Sequence, residues 1–286
     1  NACLGVNIAK LCFASHANEL KKTINAQISI FVVSCALYKA LKRNIGVDPI
    51  LFAGHSSGEY AAVHAAKGMA FADALYLVNR RAHLMEAATL SHPGIMLAVL
   101  GLEPKAVHAL CASAHDGRSI KRIAQVACYN GPEQTIVSCS PSQLRVLSRG
   151  IKAAGGRLMR LPVSGGFHSQ LMNDAQADLT QALSKVTIHD LEVPVVSNVT
   201  AQPIQKASAI QDELRAQLCS PVRWWDSMKQ FAFCDVIIQV GPGTTFAKLL
   251  RRHWPEKRVF SFNEQADLDP ILRVVQTWEP DVAAQV

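Results

Sequence analysis

Residues 50–60 read ILFAGHSSGEY. They comprise an apolar run, Ile50-Leu51-Phe52-Ala53, then Gly54-His55-Ser56-Ser57-Gly58, then Glu59-Tyr60 opening a stretch of helical spacing that reaches Lys67. A short, continuous apolar run reads as a strand buried on both faces of a parallel sheet. A serine bracketed by glycines between such a strand and a helix is a G-x-S-x-G elbow, a sharp turn that projects the hydroxyl outward. Close backbone packing there calls for positions without side chains, which accounts for Gly54 and Gly58. The following helix offers backbone N–H groups at its N-terminus, and the Ser57 N–H is placed to donate to a developing oxyanion. Ser56 is therefore a candidate nucleophile, and at neutral pH it needs a base.

Working outward, residues 26–43 carry Ile28, Phe31, Val32, Cys35, Ala36 and Leu41 at three-to-four spacing, which predicts a helix with one buried face. A second helix is predicted over 71–89, stopped by Ser91-His92-Pro93-Gly94. The rhythm then changes. Strands over 95–100, 123–129, 134–140 and 157–163 and helices over 104–114 and 141–154 give the order βαββαβ, a ferredoxin-like unit. Beyond it, helix 168–186, strand 193–197, helices within 208–232, strand 235–240, helix 244–253 and strand 259–262 restore α/β alternation. The fold class is α/β. A large subdomain with a parallel sheet, residues 1–91 and 164–286, is interrupted by a ferredoxin-like small subdomain, residues 92–163.

Composition narrows the function. At 49% hydrophobic and 18% charged, the 286-residue chain buries a sizeable core, which excludes disordered and collagen-like classes. The most apolar run, Ile28 to Tyr38, is about half of what a bilayer needs, so no membrane span is expected. Eight scattered cysteines (3, 12, 35, 111, 128, 139, 219 and 234) with no C-x-x-C predict reduced thiols in a cytoplasmic protein. The chain starts at Asn1 without a Met or a signal-type segment and reads as a fragment of something longer. Its net charge is +7, and residues 92–163 hold +6 of it. There nine basic residues face only Glu103, Asp116 and Glu133. No basic run is interleaved with aromatics, so nucleic acid is not expected as a partner.

The ten histidines do not by themselves name the base. His16, His83, His108, His115, His189 and His253 lie in helical or surface-like contexts, and His64 lies inside the helix after the elbow. His55 adjoins Ser56, but neighbouring side chains in an extended turn point apart. His168 ends the loop Ser164-Gly165-Gly166-Phe167-His168-Ser169 just before a helix, which keeps it a candidate.

The segment Gly54-His55-Ser56-Ser57-Gly58-Glu59-Tyr60-Ala61-Ala62 resembles the G-H-S-x-G-E-Y-x-A signature of malonyl-CoA:acyl carrier protein transacylases and of polyketide synthase acyltransferase domains. Four more segments resemble that family in order. They are Phe71 to Leu75 leading to Arg81 and Met85, Gly166-Phe167-His168-Ser169, Gln217-Leu218 to Pro221-Val222-Arg223-Trp224, and Val240-Gly241-Pro242-Gly243. The resemblance runs from about residue 20 to 265. The family's N-terminal G-Q-G-S-Q motif, which completes the oxyanion hole, has no counterpart, and the chain reads as short at its front end. The family's fold, an α/β-hydrolase-like large subdomain with an inserted ferredoxin-like one, agrees with the division above.

The resemblance implies roles position by position. Ser56 takes the acyl group as an ester, and His168 acts as general base and then acid. The backbone carbonyl of Gln217 orients that histidine in place of a triad aspartate, so no acidic third member is sought. Ser57 supplies an oxyanion-hole N–H. Arg81 clamps the free carboxylate of malonate, which a lysine could not copy. Phe167 resembles the aromatic of malonyl-selective members, crowding the methyl of methylmalonyl. No metal and no cofactor is implied, since the coenzyme A thioester is a substrate. The implied partners are malonyl-CoA and an acidic acyl carrier protein docking near Arg145, Arg149 and Lys152, in fatty-acid or polyketide synthesis. Hydrolases that clear acyl groups from carriers share the fold but lose the arginine, so Arg81 argues against that second reading.

Overall fold

The computed structural model describes residues 4–116 and 118–277. Two compact units divide the chain: one holds the described residues to Phe31 with Leu51–Ala232, and the other Val32–Ile50 with the described residues from Phe233 onward. Cys3 lies outside the described residues; the other seven cysteines are free thiols.

The first unit begins with α1 (Ile8–Ala14) and α2 (Ala17–Leu20), too short to show periodicity; the Asn7 side chain caps α1 by accepting from Lys10 N. Helix α3 (Thr23–Ile45) runs from this unit into the second and buries Ile28, Phe31 and Leu41. Among the described residues it is the one helix long and apolar enough to cross a bilayer. Strand β1 (Phe52–Ala53) is shorter than the apolar run suggested, because Ile50 is 64% exposed. The elbow leads into α4 (Gly58–Ala65), followed by α5 (Phe71–Ser91), whose stripe Ala74, Leu77, Val78, Ala82 and Met85 is buried.

Next come β2 (Ile95–Leu100), α6 (Pro104–Ala114), β3 (Ala124–Gly131), β4 (Gln134–Cys139), α7 (Leu144–Ala153) and β5 (Arg157–Arg160). Pro104 at its first turn starts α6 where a proline costs no hydrogen bond. The four strands form one antiparallel sheet in the order β3-β4-β2-β5. Leu97 and Val99 on one face pack with Val107 of α6 and with Leu147 and Ile151 of α7. Met96 and Ala98, on the opposite face by strand alternation, are also buried. Beside them Ser138 Oγ donates to Phe167 O at 2.5 Å, tying the sheet to the loop that carries His168.

The unit is completed by α8 (Asn173–Leu183), β6 (Val195–Val196), β7 (Pro203–Ile204), α9 (Ala207–Ala216) and α10 (Trp224–Lys229). β1 pairs parallel to β6, and β6 pairs antiparallel to β7, so this three-stranded sheet is mixed. The expected helix 168–186 starts late. Residues 170–172 form a 3-10 turn and α8 begins at Asn173, leaving His168 on the loop.

In the second unit, β8 (Val236–Val240), α11 (Thr245–His253) and β9 (Arg258–Phe262) form a parallel pair with its helix, followed by α12 (Leu268–Gln276). Leu41, Phe262, Leu268 and Ile271 make its core. The turn after β8 needs Gly241: its φ is +127°, and a Cβ there would lie 2.6 Å from Ser34 Oγ.

Candidate active site

Ser56 sits between β1 and α4 with φ +53°, a left-handed conformation that costs a non-glycine residue about 1–2 kcal/mol. The turn is tight because Gly54 lies against the start of α4, where a Cβ would meet Gly58 O at 2.1 Å. At Gly58 nothing lies within 4 Å of such an atom, so the steric requirement expected of both glycines belongs to Gly54 alone. Hydrogen bonds hold the strained residue from both sides. Ser56 N donates to Asn198 Oδ1 at 2.7 Å, and Gln217 Nε2 donates to Ser56 O at 2.9 Å. Asn198 Nδ2 also donates to Gly54 O at 2.7 Å. At about 1 kcal/mol each, three such bonds balance the backbone strain.

The Ser56 hydroxyl lies 2.7 Å from His168 Nε2, and His168 Nδ1 lies 3.0 Å from Gln217 O. A carbonyl only accepts, so Nδ1 carries the proton and Nε2 is left to accept from Ser56. His168 is 4% exposed. Burial, reinforced by the Arg81 charge, pushes it down to about 3. It is therefore neutral at physiological pH and able to take a proton. His55 points elsewhere, with Nε2 3.1 Å from Asn130 Oδ1 and its ring edge-on to Trp224; burial pushes it down to about 4.

Arg81 is 1% exposed, whereas its neighbour Arg80 is exposed, so the arginine is no helix-surface cation. Its Nη2 donates to Ser56 Oγ at 2.9 Å and to Gln217 Oε1 at 3.2 Å, and its Nη1 donates to Gln27 Oε1. Nε is buried with no acceptor among the described residues, and the Tyr60 ring lies 5.9 Å from the guanidinium carbon. All of these hydrogen-bond acceptors are neutral. A buried cation without a hydrogen-bonded counter-ion is expensive, and burial lowers its pKa accordingly. The guanidinium thus lies beside the nucleophile with its charge unmatched by any hydrogen-bonded carboxylate among the described residues.

The amides of Ser56, Gly58, Glu59 and Tyr60 are all taken up, by Asn198 Oδ1, His55 O, Ser56 O and Ser57 O respectively. Ser57 N stands between them at the head of α4. Phe167 is 8% exposed and its ring lies along the backbone at Gly165, where a Cβ would meet Phe167 Cε1 at 2.9 Å. Arg145, Arg149 and Lys152 form one exposed stripe of α7. Sequence reasoning assigned no role to Gln27, Asn198, Glu59 or Glu213. Asn198 was findable, two residues beyond the carboxyl end of a parallel strand, where α/β folds collect functional side chains.

A serine, a neutral histidine and an anion-seeking guanidinium meeting within one hydrogen-bond shell suit transfer of a charged acyl group. The chain belongs to the acyl transferase domain family, whose pattern matches residues 2–285. It is 33% identical over 252 residues to the malonyl CoA-acyl carrier protein transacylase of Bacillus subtilis, covering 87% of this chain and 78% of that protein. Its fold is similar to the crystal structure of the acyl-carrier-protein S-malonyltransferase of Burkholderia pseudomallei 1710b, with TM-score 0.89 and 33% identity over 95% of this chain and 88% of that one. It is also similar to a malonyl-transacylase in complex with a type II polyketide synthase acyl carrier protein, with TM-score 0.90 and 29% identity, covering 95% and 88%.

Proposed function

We propose that this chain is an acyl-carrier-protein S-malonyltransferase, moving malonyl from coenzyme A to the phosphopantetheine thiol of an acyl carrier protein through an ester on Ser56. The observation that carries this reading is the buried Arg81, hydrogen-bonded to Ser56 Oγ and, among the described residues, to no carboxylate. In the first half-reaction His168 Nε2 takes the Ser56 proton as Oγ attacks the thioester carbonyl. The Ser57 N–H, at the head of α4, stabilises the oxyanion. Collapse expels coenzyme A thiolate, which takes the proton from His168. In the second, His168 accepts the carrier thiol's proton, the thiolate attacks the ester, and Ser56 Oγ leaves with the proton. The Gln217 carbonyl holds the imidazole in the required tautomer throughout. The malonyl carboxylate sits on Arg81, and Phe167 narrows the space beside its α-carbon against methylmalonyl.

Residues 92–163 act as the small ferredoxin-like subdomain of this site, and residues 1–91 with 164–286 as the α/β-hydrolase-like large one. Their meeting is supported by the bonds from Asn130 to His55 and from Ser138 to Phe167. Seven free thiols fit a reducing, cytoplasmic setting. The enzyme serves fatty-acid or polyketide synthesis.

Two predictions test this reading without replacing the nucleophile. Because His168 is held neutral, kcat/KM for malonyl transfer should show no acid limb near the ordinary histidine value of about 6.5. Arg81→Gln, assayed with acetyl-CoA, removes the cation that adds to burial in depressing His168 and should bring the limb upward. A wild-type limb at about 6.5, unmoved in the variant, would contradict the assignment. The same depression gives the fold stability that is present above about pH 6.5 and drains away as pH falls toward about 3, where the buried imidazole must charge.

The second concerns the carrier. Of the nine basic residues in 92–163, Arg122 is ion-paired, with Asp116 at 3.1 Å, while Arg145, Arg149 and Lys152 are exposed. Reversing those three to Glu should raise KM for the carrier about tenfold, more at low salt, with KM for malonyl-CoA steady. An unchanged carrier KM would return the stripe to ordinary surface.

A further inference from the structure

Beneath the elbow lie two acidic side chains that the reaction above does not use. Glu59, in the first turn of α4, is 0% exposed; Glu213, on α9, is 6% exposed. Glu59 Oε1 accepts from Asn198 N at 2.9 Å and from Asn198 Nδ2 at 3.1 Å, and its Oε2 accepts from Gln217 Nε2. Glu213 Oε1 accepts from Val199 N at 3.1 Å, and its Oε2 accepts from Ser197 Oγ. The adjacent amides Asn198 N–H and Val199 N–H thus hold one carboxyl each, so the two acids lie side by side. Ionised carboxylate oxygens only accept, so a hydrogen bond between two such neighbours requires a proton. Asn198 and Gln217, the amides anchored on Glu59, are the ones that hold Ser56 N–H and Ser56 C=O.

We propose that Glu59 and Glu213 share a single proton, and that Glu59 acts through Asn198 and Gln217 as the positioning residue of the nucleophile's backbone. The alternative, two ionised carboxylates side by side in a buried site, leaves two like charges shielded from solvent, with no hydrogen-bonded cation among the described residues to offset them. The charged and titratable groups facing the pair are Tyr60, on the same helix, and Arg81, from α5. Tyr60 is pushed up to about 12 by burial and stays neutral, and the Arg81 donors go to Gln27, Gln217 and Ser56 rather than to either carboxylate. Ser197, Asn198 and Gln217 complete the surroundings and are uncharged. Burial holds both carboxyls above the usual range, and the Glu213 charge pushes Glu59 further. The pair therefore keeps one proton between Glu59 and Glu213. Glu59→Gln is not a faithful mimic: its amide nitrogen can donate to Glu213 but cannot accept from Gln217.

The inference rests on the Ser56–His168 reading for its kinetic arm only. The test is infrared difference spectroscopy of the wild type against Glu59→Gln and Glu213→Gln at pH 7, with folding checked by circular dichroism. The carbonyl stretch of a protonated, buried carboxylic acid should be present in the wild type and lost in Glu59→Gln. In Glu213→Gln, which removes the proton's second partner, it should be shifted or lost. Glu59→Gln should also lower kcat roughly tenfold to a hundredfold by misplacing Oγ, with KM for malonyl-CoA unchanged. A wild type without the acid band, a band that survives Glu59→Gln, or a frequency untouched by Glu213→Gln overturns the proposal. If Glu59→Gln does not fold, Glu213→Gln decides alone. If the wild type forms no malonyl ester on Ser56, the catalytic reading fails while the infrared result still judges the pair.

Discussion

Ser56→Ala should lower malonyl transfer by about four to six orders of magnitude, the range seen when a serine nucleophile is removed from a site that acts as a unit. A double displacement has no second route: without Oγ there is no ester to pass to the carrier thiol. The loss should not reflect misfolding, because Asn198 and Gln217 hold the residue through its backbone N–H and C=O rather than its hydroxyl. Ser56→Gly makes the control, since glycine adopts φ +53° without strain. Both variants should be equally inactive, and the glycine one no less stable than the alanine one. Malonyl transfer surviving in either at more than about a thousandth of wild type would mean that Ser56 is not the group that carries the acyl chain.

Arg81→Ala should separate substrates rather than silence the enzyme. A buried guanidinium pairing with a carboxylate contributes about 3–5 kcal/mol against its removal, so malonyl kcat/KM should fall by about 10²–10⁴. Acetyl-CoA offers no carboxylate and loses nothing from the missing clamp. Removing the cation also strengthens His168 as a base and frees Oγ from the Nη2 bond, so acetyl transfer should hold or rise. Arg81→Lys should rescue malonyl transfer only weakly, because an ammonium cannot reproduce the guanidinium fork. Equal losses for malonyl and acetyl would show that Arg81 shapes the site without binding the carboxylate.

How much of this was legible in the sequence varied with the kind of physics involved. The antiparallel sheet was readable because helical segments that Pro104 and Pro141 start at defined points separate β2 from β3 and β4 from β5, and a short turn joins β3 to β4. The elbow was readable because a close approach leaves glycine as its mark, although only at Gly54. The helices at Ile8–Ala14 and Ala17–Leu20 left no periodicity to find. His168 was expected at a helix start, yet it sits on a loop with φ +55°, fixed by tertiary bonds such as that from Ser138 to Phe167 O. Arg81 carried an unread signal: it interrupts the buried stripe Ala74, Val78, Ala82, Met85 of one helix, where a surface arginine does not belong. Glu213, between Ile210 and Leu214, interrupts another in the same way. The network joining Glu59, Asn198, Gln217 and Ser56 draws on segments more than a hundred residues apart, and no local pattern encodes it.

The most direct test is to mix the protein with malonyl-CoA in the absence of any carrier, digest it and weigh the peptide containing Ser56. The account predicts one malonyl group accumulating as an ester on Ser56, stable until a carrier with its phosphopantetheine thiol is added and then discharged onto that thiol. Release of free malonate with no accumulating ester would contradict it and identify a hydrolase, and an ester found on any other residue would displace Ser56 from the centre of the mechanism.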